Sequence, residues 1–237
     1  MAGIRERARA ELTDEIVRLA RVQVEQQGAA NLSLRAIARD LGMVSSAIYR
    51  YFASRDELLT RLIIDSYERV GDAVEQADAA VRRRSDFMAR WRAMSHALRD
   101  WAVANPSEYA LIFGTPVPGY AAPQDTIGPA SRYTVVLIAL IVEMEAAGHT
   151  VRAKVPAALR QDYAIFRRRF AVPASDAMLM QGMVAWANVM GAISLELFGH
   201  LHNVIDTPGA LFEAVVEVQG RQLIVGTVPA ERTSKRP

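Results

Sequence analysis

The chain has 237 residues, of which 51% are hydrophobic and 23% charged, with a formal net charge of +2. That length and apolar content exclude a disordered or fibrous chain and suit a small head on a larger body with its own core. The absence of cysteine excludes a disulfide framework, a zinc–thiolate site and a thiol nucleophile, and near-balanced charge means that any nucleic-acid contact must rest on locally placed cations.

In chain order, Arg5 to Glu11 alternates charges and reads as disordered, with a frayed helix or a DNA-touching arm as the alternatives. The first helix is predicted over Thr13 to Gln27: Thr13 is placed to cap it, Asp14 and Glu15 oppose the positive end of the dipole, and Gly28 stops it. Ile16, Leu19, Ala20 and Val24 form its inward stripe. A short helix follows in which Leu34, Ile37, Ala38 and Leu41 fall at i, i+3, i+4, i+7, with Ser33 as N-cap and Gly42 at the turn. In the next short helix Val44, Ile48 and Phe52 are expected to face inward, which leaves Ser45, Ser46, Ala47, Tyr49, Arg50 and Tyr51 mostly outward. Ser54 to Glu57 reads as a capping box that starts another helix at once.

Two short helices about a glycine turn are the wiring of a DNA-reading head. A major groove about 12 Å wide admits one α-helix, provided its side chains let the backbone approach. Ser45, Ser46 and Ala47 are short enough. Tyr49, Tyr51 and Arg55 can reach phosphate oxygens, and Arg50 and Arg35 can read a guanine edge. A helical hairpin with a merely solvated outer face fits the same pattern.

From Arg55 a helix can run to about Arg82, with Gly71 its weak point and Leu58, Leu62, Tyr67 and Val70 on its apolar side. Ser85 to Ala104 is the next, then a helix capped by Asn105 and opened by Pro106. Gly114 to Pro129 reads as a loop and Ser131 to Ala147 as a helix ended by Gly148; a variable stretch then holds Arg160 to Phe170. Ser175 to Phe198 is apolar on two faces, one with Leu179, Gly182, Met183, Trp186, Met190, Ile193 and Leu197, the other with Val184, Gly191, Leu195 and Phe198. Pro208 opens a last helix with Leu211, Phe212, Val215, Val216, Val218 and Leu223. These two helices can form half of a four-helix bundle across a two-fold axis, Gly182, Ala185, Gly191 and Ala192 permitting close approach; both faces could instead pack within one subunit.

No membrane-spanning stretch is free of charge, since Val135 to Val142 is short and followed by Glu143 and Glu145. No hydrophobic signal region follows the N-terminal arginines. A cytoplasmic protein without a membrane partner is expected. His200 and His202 could bind a metal, but capping a helix end is the better reading, so neither metal nor cofactor is expected. With no Gly-x-Ser-x-Gly elbow and no phosphate-cradling glycine loop, the chain does not read as an enzyme.

Ile37-Ala38, Leu41-Gly42, Ser45-Ser46, Tyr49-Arg50-Tyr51-Phe52 and Arg55-Asp56-Glu57-Leu58-Leu59 resemble, in order and spacing, the N-terminal domain of the TetR family of bacterial transcriptional regulators. The resemblance implies that Ser33, Ser45, Tyr49, Tyr51 and Arg55 hold phosphates and that Arg35, Ser46 and Arg50 lie near bases. The family often has His at the position of Tyr51 and Lys at that of Arg55; both replacements keep a phosphate donor. Further on, WAVANPSEYALIFGTPVPGYAAP from Trp101 and WANVMGAISLELFGHL from Trp186 resemble the WHG type of TetR regulatory domain. That pattern has His before the glycine of its second segment, where this chain has Met190.

The expectation is therefore an all-α protein: a three-helix helix-turn-helix head (1–55), joined by a long helix to a helical ligand-binding and dimerisation body (56–228), and a basic tail (229–237) with Arg232, Lys235 and Arg236. Double-stranded operator DNA, a small-molecule effector and a second copy of the chain are its expected partners. Trp91, Met94, Leu98, Trp101, Tyr109, Phe113, Tyr133, Met183, Trp186 and Met190 are the candidates for lining an effector pocket, with His96, Asn188 and Glu143 as further polar groups. Their aromatic and thioether character suits an apolar or aromatic compound, although core packing explains each residue singly. A structural DNA-binding protein without an effector, and a small-molecule binder with a vestigial head, are the alternatives.

Overall fold

A computed structural model describes residues 2–225; the expected tail at 229–237 lies outside the described residues. Those residues form ten α-helices and no strand: α1 (Ala2–Gln27), α2 (Leu34–Asp40), α3 (Ser45–Ile48), α4 (Arg55–Ala80), α5 (Phe87–Ala104), α6 (Pro106–Phe113), α7 (Ile127–Ala146), α8 (Ala157–Phe170), α9 (Asp176–Leu197) and α10 (Pro208–Val225). They divide into two compact units. One holds the chain up to Asp72 together with Trp101–Arg132, and the other holds Ala73–Asp100 with the chain from Tyr133 onward. The helices α4, α5 and α7 each contribute residues to both.

In the first unit, Ile16, Val17, Ala20 and Val24 of α1, Leu34, Ile37 and Ala38 of α2, Ile48, Phe52, and Leu58, Leu59 and Leu62 of α4 share one buried core. Leu111, Ile112, Val117 and Tyr120 lie against that core, and the compact unit therefore extends beyond a division drawn along the chain at residue 55. Helix α1 starts at Ala2, so the segment expected to be disordered is helical. Thr13 lies inside this helix and caps nothing: its hydroxyl donates to the Arg9 carbonyl at 2.8 Å. Gly28 ends the helix with φ 77, a left-handed conformation that glycine adopts without steric cost.

At the start of α4, the Glu57 N–H donates to Ser54 Oγ at 3.1 Å, and the Glu57 carboxylate accepts from the Ala53 N–H at 2.6 Å, forming the predicted box one residue early. Asn105 does not cap α6 with its side chain, which turns back and donates from Nδ2 to the Trp101 carbonyl at 2.8 Å.

The later helices depart from expectation where proline and arginine dominate. Helix α7 begins at Ile127, inside the predicted loop, because Pro129 falls in its first turn, where a missing N–H costs nothing. The stretch left variable forms α8, ended by Ala171 at φ 52. Helices α9 and α10 pack along each other, with Met178, Ala185 and Ile193 of α9 and Phe212, Val216 and Leu223 of α10 all buried. The Ile141 side chain occupies the space that a Cβ would need at Gly182, so Gly182, with buried Ala185 and Ala192, serves contacts inside the chain and not the close approach of a second copy. The other face of α9 stays exposed at Val184, Leu195 and Phe198.

A buried ion-pair network ties α4, α5 and α7 within this unit. Arg90 is 1% exposed and donates from Nε to Asp78 Oδ1 at 2.7 Å and from Nη2 to Glu143 Oε1 at 3.2 Å; Arg84 also pairs with Asp78. Burial pushes the Asp78 carboxyl up, but hydrogen bonds from the Arg90 and Arg84 guanidiniums outweigh it and hold the group below its ordinary range.

By length and composition alone, the segments Gln124–Ala146 and Asp176–Leu197 would suffice to cross a membrane. In both, apolar residues such as Leu140, Met144, Met178 and Ile193 are buried in the second unit's own core.

Candidate nucleic-acid interface and ligand cavity

The geometry of the head follows from two local signals. Ser33 Oγ accepts from the Ala36 N–H at 3.4 Å to start α2, and Gly42, at φ 65, turns the chain into α3. Ile48 is fully buried and Phe52 nearly so, and this pair anchors α3 to the core. Val44 does not join them: it is 72% exposed, because it stands at the N-cap in extended conformation before the helical repeat begins.

With Ile48 inward, Ser45, Ser46, Tyr49 and Arg50 are exposed, Ala47 and Tyr51 are half-buried, and Arg35 on α2 is exposed. Short side chains on α3 thus precede a phenol and a guanidinium in the turn that follows it, all on one open surface, which is the arrangement groove recognition needs. Arg55 is placed differently. Its Nη2 donates to the Ala29 carbonyl at 3.0 Å and the Ala30 carbonyl at 3.2 Å, so its guanidinium closes the turn between α1 and α2.

Two supporting residues escaped the sequence pattern. Gln23 Oε1 accepts from the Ser33 N–H at 2.7 Å, fixing the start of α2. Arg9 donates to the Arg50 carbonyl at 3.2 Å and lies over the Tyr51 ring at 5.8 Å. Neither belongs to an apolar stripe, and charge alternation around Arg9 gave no hint of its partner.

The second unit brings together Trp91, Met94, Leu98, Tyr133 and Trp186 around a cavity of about 30 Å³, with Val74, Ser95, Leu137 and Val189 completing the wall. No charged residue lines it. Trp91 Nε1 donates to the Val216 carbonyl at 2.8 Å, whereas Trp186 Nε1 is buried without an acceptor.

The other ligand candidates lie elsewhere. Trp101, Tyr109 and Phe113 belong to the first unit, where Tyr109 is fully buried and meets Phe113 at a tilt of 50° with centroids 5.1 Å apart. Met183 is 54% exposed and Met190 is half-buried, outside the cavity wall. Of the polar groups, His96 pairs with Glu213 at 2.9 Å, Asn188 donates to the Val184 carbonyl at 2.8 Å, and Glu143 is held by Arg90.

A larger cleft of about 120 Å³ in the first unit is lined by Arg21, Glu25, Ser66, Asn105, Ser107 and Glu108 among others. Glu108 is engaged by Arg69 and Ser66, so this polar cleft does not match an apolar ligand. Among the described residues no group of three or more His, Asp or Glu could hold a metal ion.

The family model for bacterial regulatory proteins of the tetR family matches residues 16–62, and that for the tetracyclin repressor-like C-terminal domain matches residues 91–219. HTH-type transcriptional regulator Rv1816 of Mycobacterium tuberculosis (strain ATCC 25618 / H37Rv) is 43% identical over 218 residues, covering 90% of this chain and 92% of its own. Among solved structures, the regulatory-protein candidate SCO4313 is 34% identical with a TM-score of 0.77, covering 90% of this chain and 97% of that one. PfmR, a TetR family regulator from Thermus thermophilus, shares the fold at 16% identity and a TM-score of 0.57, over 90% of this chain and 98% of its own.

Proposed function

Because the chain belongs to the TetR family and is a transcriptional regulator rather than an enzyme, we propose that it is a cytoplasmic repressor that binds a pseudo-palindromic operator as a homodimer and leaves it when a small apolar or aromatic effector binds. The observation that carries this reading is the open face of Ser45, Ser46, Tyr49 and Arg50, held outward by buried Ile48. Ser33, Ser45, Tyr49 and Tyr51 hold phosphates; Arg35, Ser46 and Arg50 address bases, with Ala47 letting the backbone approach. Arg55 can join the phosphate contacts only by giving up the Ala29 and Ala30 carbonyls.

Two heads of a dimer would enter successive major grooves about 34 to 36 Å apart. The exposed apolar row of Val184 and Leu195 on α9 and Phe198 at its C-terminal end, with Val218 on α10, supports a second copy as its cover. The effector acts by favouring an arrangement of the body with the wrong head spacing. Moving the operator from nearly all occupied to nearly all free takes about 5.5 kcal/mol of differential binding. Helix α4 is the natural carrier, since it continues unbroken from the head into the second unit.

The test is binding of the purified protein to DNA flanking its own gene, followed by footprinting. Discrete, two-fold symmetric protection that weakens with salt supports the proposal; scattered protection or indifference to duplexes refutes it.

A further inference from the structure

Two indoles stand in the wall of the second unit's cavity, and only one of them is satisfied. Trp91 donates its N–H to the Val216 carbonyl, while Trp186 Nε1 is closed off from solvent and has no acceptor. Tryptophan in a protein interior ordinarily finds a partner for this donor, and an unmade bond at a buried donor carries the full cost of desolvation. Here that cost is already borne before any ligand arrives.

The pocket, at about 30 Å³, has room for a water but not for a ring, so a ring-sized effector fits only if the wall gives way. A water there would be poorly held, because it needs two to four polar partners and the wall offers little beyond Ser95, Tyr133 and this indole. No carboxylate, guanidinium or ammonium lines the cavity to neutralise an ionised ligand.

Building on the effector reading above, we propose that the effector is a neutral, mainly apolar molecule carrying a hydrogen-bond acceptor such as a ketone or ester oxygen, and that this oxygen accepts from Trp186 Nε1–H. The donor then discriminates between ligands of equal size. A site with a buried donor rejects an analogue that cannot accept, since the analogue leaves the donor unpaired.

Acetophenone, ethylbenzene and benzoate serve as the probes: similar in size, one with a neutral acceptor, one with none, one charged. Titrations of the full-length protein are expected to show acetophenone binding at least about tenfold more tightly than ethylbenzene, and benzoate not binding. In protein labelled with ¹⁵N-tryptophan, the Trp186 indole N–H resonance moves downfield with acetophenone and not with ethylbenzene. Trp186→Phe keeps an aromatic ring and removes the donor, so the preference should fall below about threefold while ethylbenzene binding persists. Should that variant fail to fold, Trp91→Phe and Trp101→Phe assign the indole resonances by elimination and the wild-type shifts decide.

Equal binding of acetophenone and ethylbenzene, an unmoved Trp186 resonance, or no binding by any probe overturns the proposal. Operator binding measured on the same samples keeps the two readings apart. If benzoate alone binds and releases the operator, the effector reading stands and this ligand class falls; if the operator is never bound, the regulatory reading falls whatever the probes do.

Discussion

Arg50 sits on the open face of the recognition segment, its backbone carbonyl held by Arg9 and its side chain exposed. If it reads a base edge, Arg50→Ala should cost about 1–3 kcal/mol of operator affinity and relax specificity at one position of each half-site, as electrophoretic competition would reveal. Uniform weakening across all sequences would instead make it a phosphate contact. Asp78 yields a prediction of another kind. Its folded value is held below that of the unfolded chain, so its contribution is complete above about pH 4 and is lost as pH falls through the folded value. Asp78→Ala should cost about 3 kcal/mol at neutral pH, since Arg90 and Arg84 lose their shared partner, and should flatten the acid limb of a urea-melt series. At this scale the sequence was informative where a side chain meets its own backbone, as at Ser33 and Ser54. It was silent on long-range pairs such as Arg9 with Arg50 and Gln23 with Ser33, which no spacing rule connects.

Helices α9 and α10 show what a stripe can and cannot reveal. Periodicity correctly marked α9 as apolar on two faces, yet it could not say which face its own chain covers; Gly182 and Ala192 turned inward, while Val184, Leu195 and Phe198 stayed out. Phe198→Glu, at an exposed site, is expected to leave helix content unchanged and to convert a dimer to monomers in sedimentation velocity. A dimer that persists unchanged would move the interface elsewhere. On α10, a Cβ at Gly220 would come within 2.6 Å of Trp91 Cδ1 and 2.7 Å of Met88 Sδ. Gly220→Ala should therefore destabilise by about 1–3 kcal/mol in denaturant melts, because the Trp91 ring is fixed by its bond to Val216 and yields poorly. Thr13 and Val44 were misjudged because the true helix start is not the one each residue's type suggests: Thr13 lies well inside α1, and Val44 stands at the N-cap of α3. Pro129 misled in the same way, since a proline that breaks a helix interior is welcome in its first turn.

For the whole molecule, composition and periodicity were enough for an all-α protein, since helix-forming stripes recur along nearly its full length. The grouping of aromatics was not legible. Trp101, Tyr109 and Phe113 resemble Trp91, Met94 and Trp186 in type, but they belong to a different compact unit, because chain-distant segments such as Trp101–Arg132 join the head's unit. The fold also bears on ion release. A basic residue expels counterions from DNA only if it is free to approach a phosphate, and Arg55 in each head is held by two carbonyls. While that clasp holds, a dimer's plot of log K against log salt should keep its slope in Arg55→Gln. A slope shallower by about 1.8, the amount for two lost phosphate contacts, would mean that DNA pulls both arginines out of their turns on docking. The arithmetic of ions in solution would then report a rearrangement within the protein itself.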